Sequence, residues 1–231
     1  MCGRYVLSDP VASLCKLFGI DIQALLTPRF NIAPTQSVPI VRNAPDNGQR
    51  EFKFVRWGLI PKWAKDDSAG AKMINARAET ITEKPSYREA FKRRRCLIPT
   101  TGFYEWKRIG KSKEPFYIRM KDRQPFAMAG LWESWQPSEG AAVESCTIIT
   151  TGPNEIMRPI HDRMAVIVAP ENYATWLDPA TKDTGKLSGL LRPFDAQKME
   201  AIPVSNYVNS AAHEGPQCIN PSAQGNNGLL F

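Results

Sequence analysis

The chain has 231 residues, 42% of them hydrophobic and 23% charged, with six tryptophans and a formal net charge of +7. That composition excludes wholesale disorder and supports a substantial core, and no stretch has the length and apolarity of a membrane-crossing helix. Five cysteines (Cys2, Cys15, Cys96, Cys146, Cys218) form no C-x-x-C pair, so neither a disulfide framework nor a zinc pattern is indicated, as suits a reducing compartment.

The chain opens Met1-Cys2-Gly3-Arg4. A small second residue favours trimming of the methionine, which would leave Cys2 with a free α-amine and a thiol on adjacent carbons. The amine can condense with an aldehyde to an imine, and the thiol can then close a five-membered thiazolidine. An α-amine titrates some 2.5 units below lysine, so roughly 300 times more of it is free base at neutral pH. The alternative is a retained Met1 and an ordinary buried cysteine. Between Val6 and Ile20 an apolar run imitates a signal peptide, but Asp9 and Pro10 interrupt it, and a cytoplasmic protein is expected.

Residues 9–18 read as a helix with Asp9 as N-cap, Pro10 in its first turn and Gly19 as its stop. Val11, Leu14, Cys15 and Phe18 share one face, which places Cys15 in the core. A strand is expected over Val38–Arg42, a turn over 44–50, a strand over Glu51–Trp57 and a polar loop over Ala64–Lys72. Ser86-x-x-Glu89 has the spacing of a capping box for a helix ending near Arg94. Strands follow at 96–98, 102–107, 116–120, 126–132, 146–151 and 164–169. Short helices are expected at 170–177 and 187–191, and a last strand at 202–208. Residues 1–221 read as one domain and 222–231, rich in Gly, Asn and Gln, as a flexible tail. Strands outnumber helices and do not alternate with them. The fold class is therefore α+β, a single domain on a mostly antiparallel, barrel-like sheet with a few short flanking helices.

Charge is unevenly spread. Between Lys92 and Arg123, eleven basic residues face three acids, a net +8, and the remaining residues sum to −1. Such a stretch fits a patch facing phosphates as well as it fits a solvated basic surface.

The residues suited to chemistry are few. His161 stands between Ile160 and Asp162 at the mouth of an apolar strand, placed as a general acid or base or as a partner of a backbone carbonyl. His213 lies in a Gly/Pro-rich loop and reads as structural or exposed. Glu105 sits among Phe103, Tyr104 and Trp106; an apolar wall would hold its proton, whereas a surface position would pair it with Lys107 or Arg108. Asn75 and Arg77 share one face of an extended segment, where an amide can orient a sugar and a guanidinium can fork onto a phosphate. Trp57, Trp63 and Trp106 are stacking platforms or core, Trp63 being the least core-like.

Taken together, Cys2-Gly3-Arg4, Phe30-Asn31-Ile32-Ala33-Pro34, Trp57-Gly58, Asn75-Ala76-Arg77-Ala78-Glu79-Thr80, Gly102-Phe103-Tyr104-Glu105-Trp106-Lys107 and His161-Asp162-Arg163-Met164 resemble the SOS response-associated peptidase family, in order and over nearly the whole chain. The resemblance implies covalent capture of abasic sites in single-stranded DNA. Cys2 would be the nucleophile after autoproteolytic loss of Met1, Asn75 would position the sugar, Glu105 would move protons, and His161 would open the sugar. It also implies DNA contacts from Arg4, Arg77, Trp63 and Arg163. The expected partner is single-stranded DNA carrying abasic sites, with no metal, cofactor or membrane, for a monomer that is cytoplasmic and on the nucleoid when bound. Two other readings are a thiol peptidase with an N-terminal nucleophile and a non-covalent single-strand binder.

Overall fold

The computed structural model describes residues 2–181 and 183–222; residues 223–231 of the expected tail lie outside them. In chain order the elements are β1 (Arg4–Leu7), α1 (Val11–Phe18), β2 (Arg29–Ile32), β3 (Ser37–Asn43), β4 (Arg50–Trp57), β5 (Asn75–Arg77), α2 (Arg88–Arg93), β6 (Arg95–Thr100), β7 (Gly102–Ile109), β8 (Ser112–Met120), β9 (Phe126–Trp135), β10 (Val143–Thr151), β11 (Met164–Ala165), β12 (Ile167–Val168), α3 (Tyr173–Leu177), α4 (Thr184–Gly189) and β13 (Met199–Pro203).

Two sheets share the work. β10, β4, β3, β6 and β9 pair in turn, and β9 pairs back onto β10 to close a barrel. The barrel is antiparallel except where β10 runs parallel to β4 at Ser145↔Arg56. β5 also lies parallel to β10, at Ile148↔Asn75. A second, antiparallel sheet has the order β13-β8-β7-β1-β2. The α+β, barrel-like architecture expected from the sequence is the one observed.

Strand composition explains the layering. β9 (FAMAGLWESW) is buried at nine of ten positions, and its nearly continuous apolar run matches a strand covered on both faces. On the second sheet, Tyr104 and Tyr117 point into a small core with Val204, Val208 and Cys218, whereas Phe103 and Ile118 face the main core. Alternation along β7 thus supplies two cores from one strand.

Several local expectations give way to tertiary partners. Asp9 does not cap α1; its carboxyl bonds Thr101 Oγ1, and Pro10 takes the cap position without a side-chain bond. Gly19 does end the helix, with φ 62° and its N–H on the Cys15 carbonyl at 2.9 Å. Ser86 and Glu89 form no capping box: α2 starts at Arg88 after an uncapped Tyr87, and Glu89 pairs with Lys92 at 3.2 Å. The expected 64–72 loop contains a 3-10 helix at Asp67–Lys72, capped by Asp66. Gly58, at φ 127°, lets that helix pack close, since a Cβ there would meet the Gly70 carbonyl at 2.5 Å. The last strand is 199–203 rather than 202–208, and Asn206–Asn209 forms a 3-10 turn.

The basic stretch is not one patch. Arg94 pairs with Glu133 and Arg119 with Glu200, each at 2.8 Å. Arg95 is 3% exposed and donates to the carbonyls of Phe91, Lys92, Trp176 and Asp178. Burial lowers its guanidinium to about 10, so it stays charged at neutral pH and bridges the end of α2 to α3. Loss of this donor set strands several carbonyls at once. Arg95→Ala is expected to cost about 3 kcal/mol or more and to lower Tm by roughly 6–12 °C in a thermal melt.

Candidate active site

The start of the chain enters the second sheet through β1, whose Arg4 lies opposite Tyr104 of β7. Cys2 therefore sits where that sheet meets the barrel, and its side chain is fully buried. Asn75, at the first position of β5, reaches across the seam. Its Nδ2 donates to the Cys2 carbonyl at 2.9 Å, and its own carbonyl accepts from Tyr87 Oη at 3.2 Å. The Asn75 Oδ1 is buried and has no hydrogen-bond partner among the described residues. A buried acceptor without a partner carries a desolvation cost that a bound hydroxyl would relieve.

Glu105 on β7 is 2% exposed. Burial dominates its titration and raises the carboxyl from 4.5 to about 7. The apolar-wall alternative thus holds over pairing with Lys107 or Arg108. Burial, reinforced by the nearby Glu105 charge, pushes the Cys2 thiol far above its ordinary value, while the Arg4 backbone N–H acts in the opposite sense. The thiol is protonated here, and a base is needed before it can attack.

His161 arrives from the loop between β10 and β11. Its Nδ1 lies 3.0 Å from the Arg163 backbone N–H and 2.9 Å from Asp162 Oδ1. Nε2 lies 3.9 Å from Glu105 Oε2. Burial lowers the His161 value, with the charge of exposed Asp162 opposing it, so the ring is neutral at pH 7. Glu105, His161, Arg4, Trp106, Arg108, Lys113 and Asn209 border one open cleft of about 900 Å³.

Other sites expected from the sequence are more dispersed. Arg4 lines the cleft, with Nη1 on Asn31 Oδ1 at 2.9 Å and on the Val208 carbonyl at 3.1 Å. Arg77 is exposed at the end of β5. Arg163 grips Glu79 with both terminal nitrogens, at 2.7 and 2.9 Å, and the Thr150 carbonyl at 2.6 Å. Trp63 is 65% exposed and is not among the residues that line the cleft. His213 stacks on Tyr207 with ring centroids 4.1 Å apart.

Sequence reasoning left Asn31 without a role. It is 1% exposed, and its Nδ2 holds the Ser210 and His213 carbonyls at 2.8 and 2.9 Å. It thereby fixes both Arg4 and the segment carrying Asn209. An amide between two apolar residues in Phe30-Asn31-Ile32 was the available signal.

The model of the family described as SOS response associated peptidase matches residues 1–211. The chain belongs to that family. Among its relatives, the abasic site processing protein YoqW of Bacillus subtilis (strain 168) is 46% identical over 223 residues, covering 95% of this chain and 99% of that protein. The abasic site processing protein HMCES of Gallus gallus is 31% identical over 224 residues, covering 84% of this chain and 66% of that one. A crystal structure of a protein from Bacteroides thetaiotaomicron superposes with a TM-score of 0.86 at 30% identity, over 96% of this chain and all of that one. In this member of the SOS response-associated peptidase family, the cleft thus joins residues from four parts of the sequence.

Glu105 gives the family member a pH signature. Between 4.5 and about 7 the folded protein holds a proton that the unfolded chain releases. The stability tied to this group is full below 4.5 and is lost as pH rises through 7, a change of roughly 3 kcal/mol. Urea denaturation from pH 4.5 to 8 should show Glu105→Gln lacking that decline and gaining on the wild type as pH rises. Parallel curves for the two proteins would contradict the assignment.

Proposed function

We propose that this chain processes abasic sites in single-stranded DNA by capturing them covalently through Cys2. The observation that carries the reading is the convergence of Asn75, Glu105 and His161 on the first residues of the chain, beside a cleft bordered by Arg4, Arg108 and Lys113. Hydrolysis of the Met1–Cys2 bond consumes one water and frees the α-amine. His161, whose value burial lowers, assists opening of the deoxyribose to its aldehyde form.

The Cys2 amine then adds to the C1′ carbonyl to give a carbinolamine. Glu105, titrating near neutrality, donates the proton with which the hydroxyl leaves as water, and a protonated iminium remains. The carboxylate so formed takes the thiol proton, and the sulfur closes on the iminium carbon to give a thiazolidine whose nitrogen keeps its proton. The balance is aldehyde plus aminothiol to thiazolidine plus one water. Asn75 holds the Cys2 carbonyl and offers its open Oδ1 to a sugar hydroxyl.

In this reading Arg4 and Arg77 take flanking phosphates, and Arg163 does so after exchanging Glu79 for DNA. Trp63 stacks on a neighbouring base. The protein acts as a cytoplasmic monomer on the nucleoid.

The test uses a single-stranded oligonucleotide with one abasic site. The wild type should give a band that survives denaturation, and Cys2→Ala should give none. Cyanoborohydride should restore a band to Cys2→Ala by reducing the imine of its amine, separating the roles of nitrogen and sulfur. Asn75→Ala should slow capture roughly 100-fold. A stable band from Cys2→Ala without reductant would overturn the mechanism.

A further inference from the structure

The hairpin of β7 and β8 projects beyond the site, and its charges are sorted by face. Lys107 lies opposite Glu114, a complementary pair. One rung further out, Arg108 lies opposite Lys113, two cations face to face. Both are exposed, and both border the cleft that holds Glu105 and His161, whereas Lys107 and Glu114 do not. Neither Arg108 nor Lys113 has an acidic partner among the described residues. Like charges directly opposite on a strand pair destabilise it. The neighbouring rung shows that this hairpin accommodates an acid opposite a base.

The cleft-facing stripe continues inward. Alternation puts Trp106 and Arg108 on one face of β7, and Arg4 stands opposite Tyr104 on the adjoining strand. Arg4 and Arg108 are thus separated by four strand residues, about 14 Å along the strand at 3.4 Å per residue. Trp106 is fixed between them by its indole N–H on Asn209 Oδ1 at 2.8 Å. Arg4, Arg108 and Lys113 all border the same cleft.

We infer that Arg108 and Lys113 form a phosphate clamp for the part of the DNA strand that flanks the captured nucleotide. The inference rests on the proposed function for its ligand. A polyanion seated between the two side chains turns their repulsion into paired attraction, so the cost left in the free protein is relieved on binding. The clamp reads backbone only; it supplies affinity and direction of exit, not base preference.

The experiment is a salt titration of binding to an intact single-stranded oligonucleotide, followed by fluorescence anisotropy, for wild type and Arg108→Gln/Lys113→Gln. Each phosphate contact on a single strand contributes about 0.7 to the slope of log affinity against log salt. The double variant should lose about 1.4 from that slope, so its disadvantage shrinks roughly sevenfold between 50 and 200 mM salt. Lys113→Glu, which pairs with Arg108, should melt no lower than wild type while binding DNA still more weakly. Equal slopes for wild type and double variant would overturn the clamp, as would a melting temperature lowered by Lys113→Glu. Absence of a crosslink in the wild type would instead count against the proposed function, while the slopes on intact DNA would still decide the clamp.

Discussion

The hydrogen bond from Asn75 Nδ2 to the Cys2 carbonyl joins two bodies that the sequence keeps 73 residues apart. Cys2 leads into the five-stranded sheet, and Asn75 belongs to a three-residue strand held on the barrel by β10. The bond fixes the carbonyl of Cys2 and therefore the direction of its Cα substituents, the amine and the thiol. Everything proposed about reactivity depends on that direction, because a nucleophile at the end of a chain is otherwise the least constrained group in a protein.

Around that anchor the fold arranges proton carriers. Glu105 is buried on a strand whose other face packs a second core, and its raised value follows from that burial. Burial lowers the His161 value, and the Asp162 charge opposes it. A carboxyl near 7 and an imidazole 3.9 Å away are two proton carriers side by side. The proposed imine formation and ring closure would use both directions of transfer, since one step consumes a proton at oxygen and the next releases one from sulfur.

Much of this was legible in the sequence, and the remainder was hidden for definable reasons. Gly19 ended its helix as read, because a left-handed residue is a local demand. Asp9 and Ser86 failed as caps because their neighbourhoods were decided elsewhere: Thr101, 92 residues away, claimed the Asp9 carboxyl. β5 carries no strand pattern of its own, and it is extended because β10 offers an edge. The basic stretch misled in the same way. Composition counts charges, whereas the fold assigns Arg94 and Arg119 to acids and Arg95 to carbonyls, leaving Arg108 and Lys113 at the cleft. Arg163 is likewise committed to Glu79, a contact between segments 84 residues apart. The grouping of Asn75, Glu105 and His161 was legible only through resemblance; no spacing rule joins a strand start, a strand middle and a loop.

The central claim is that nitrogen and sulfur of Cys2 bond to one sugar carbon. Intact mass spectrometry of the product formed with an abasic single strand tests it directly. The account predicts the mass of the protein without Met1 plus that of the oligonucleotide, less one water, with no free thiol at Cys2 by alkylation. An adduct that retains Met1, or one in which Cys2 still alkylates, would contradict it.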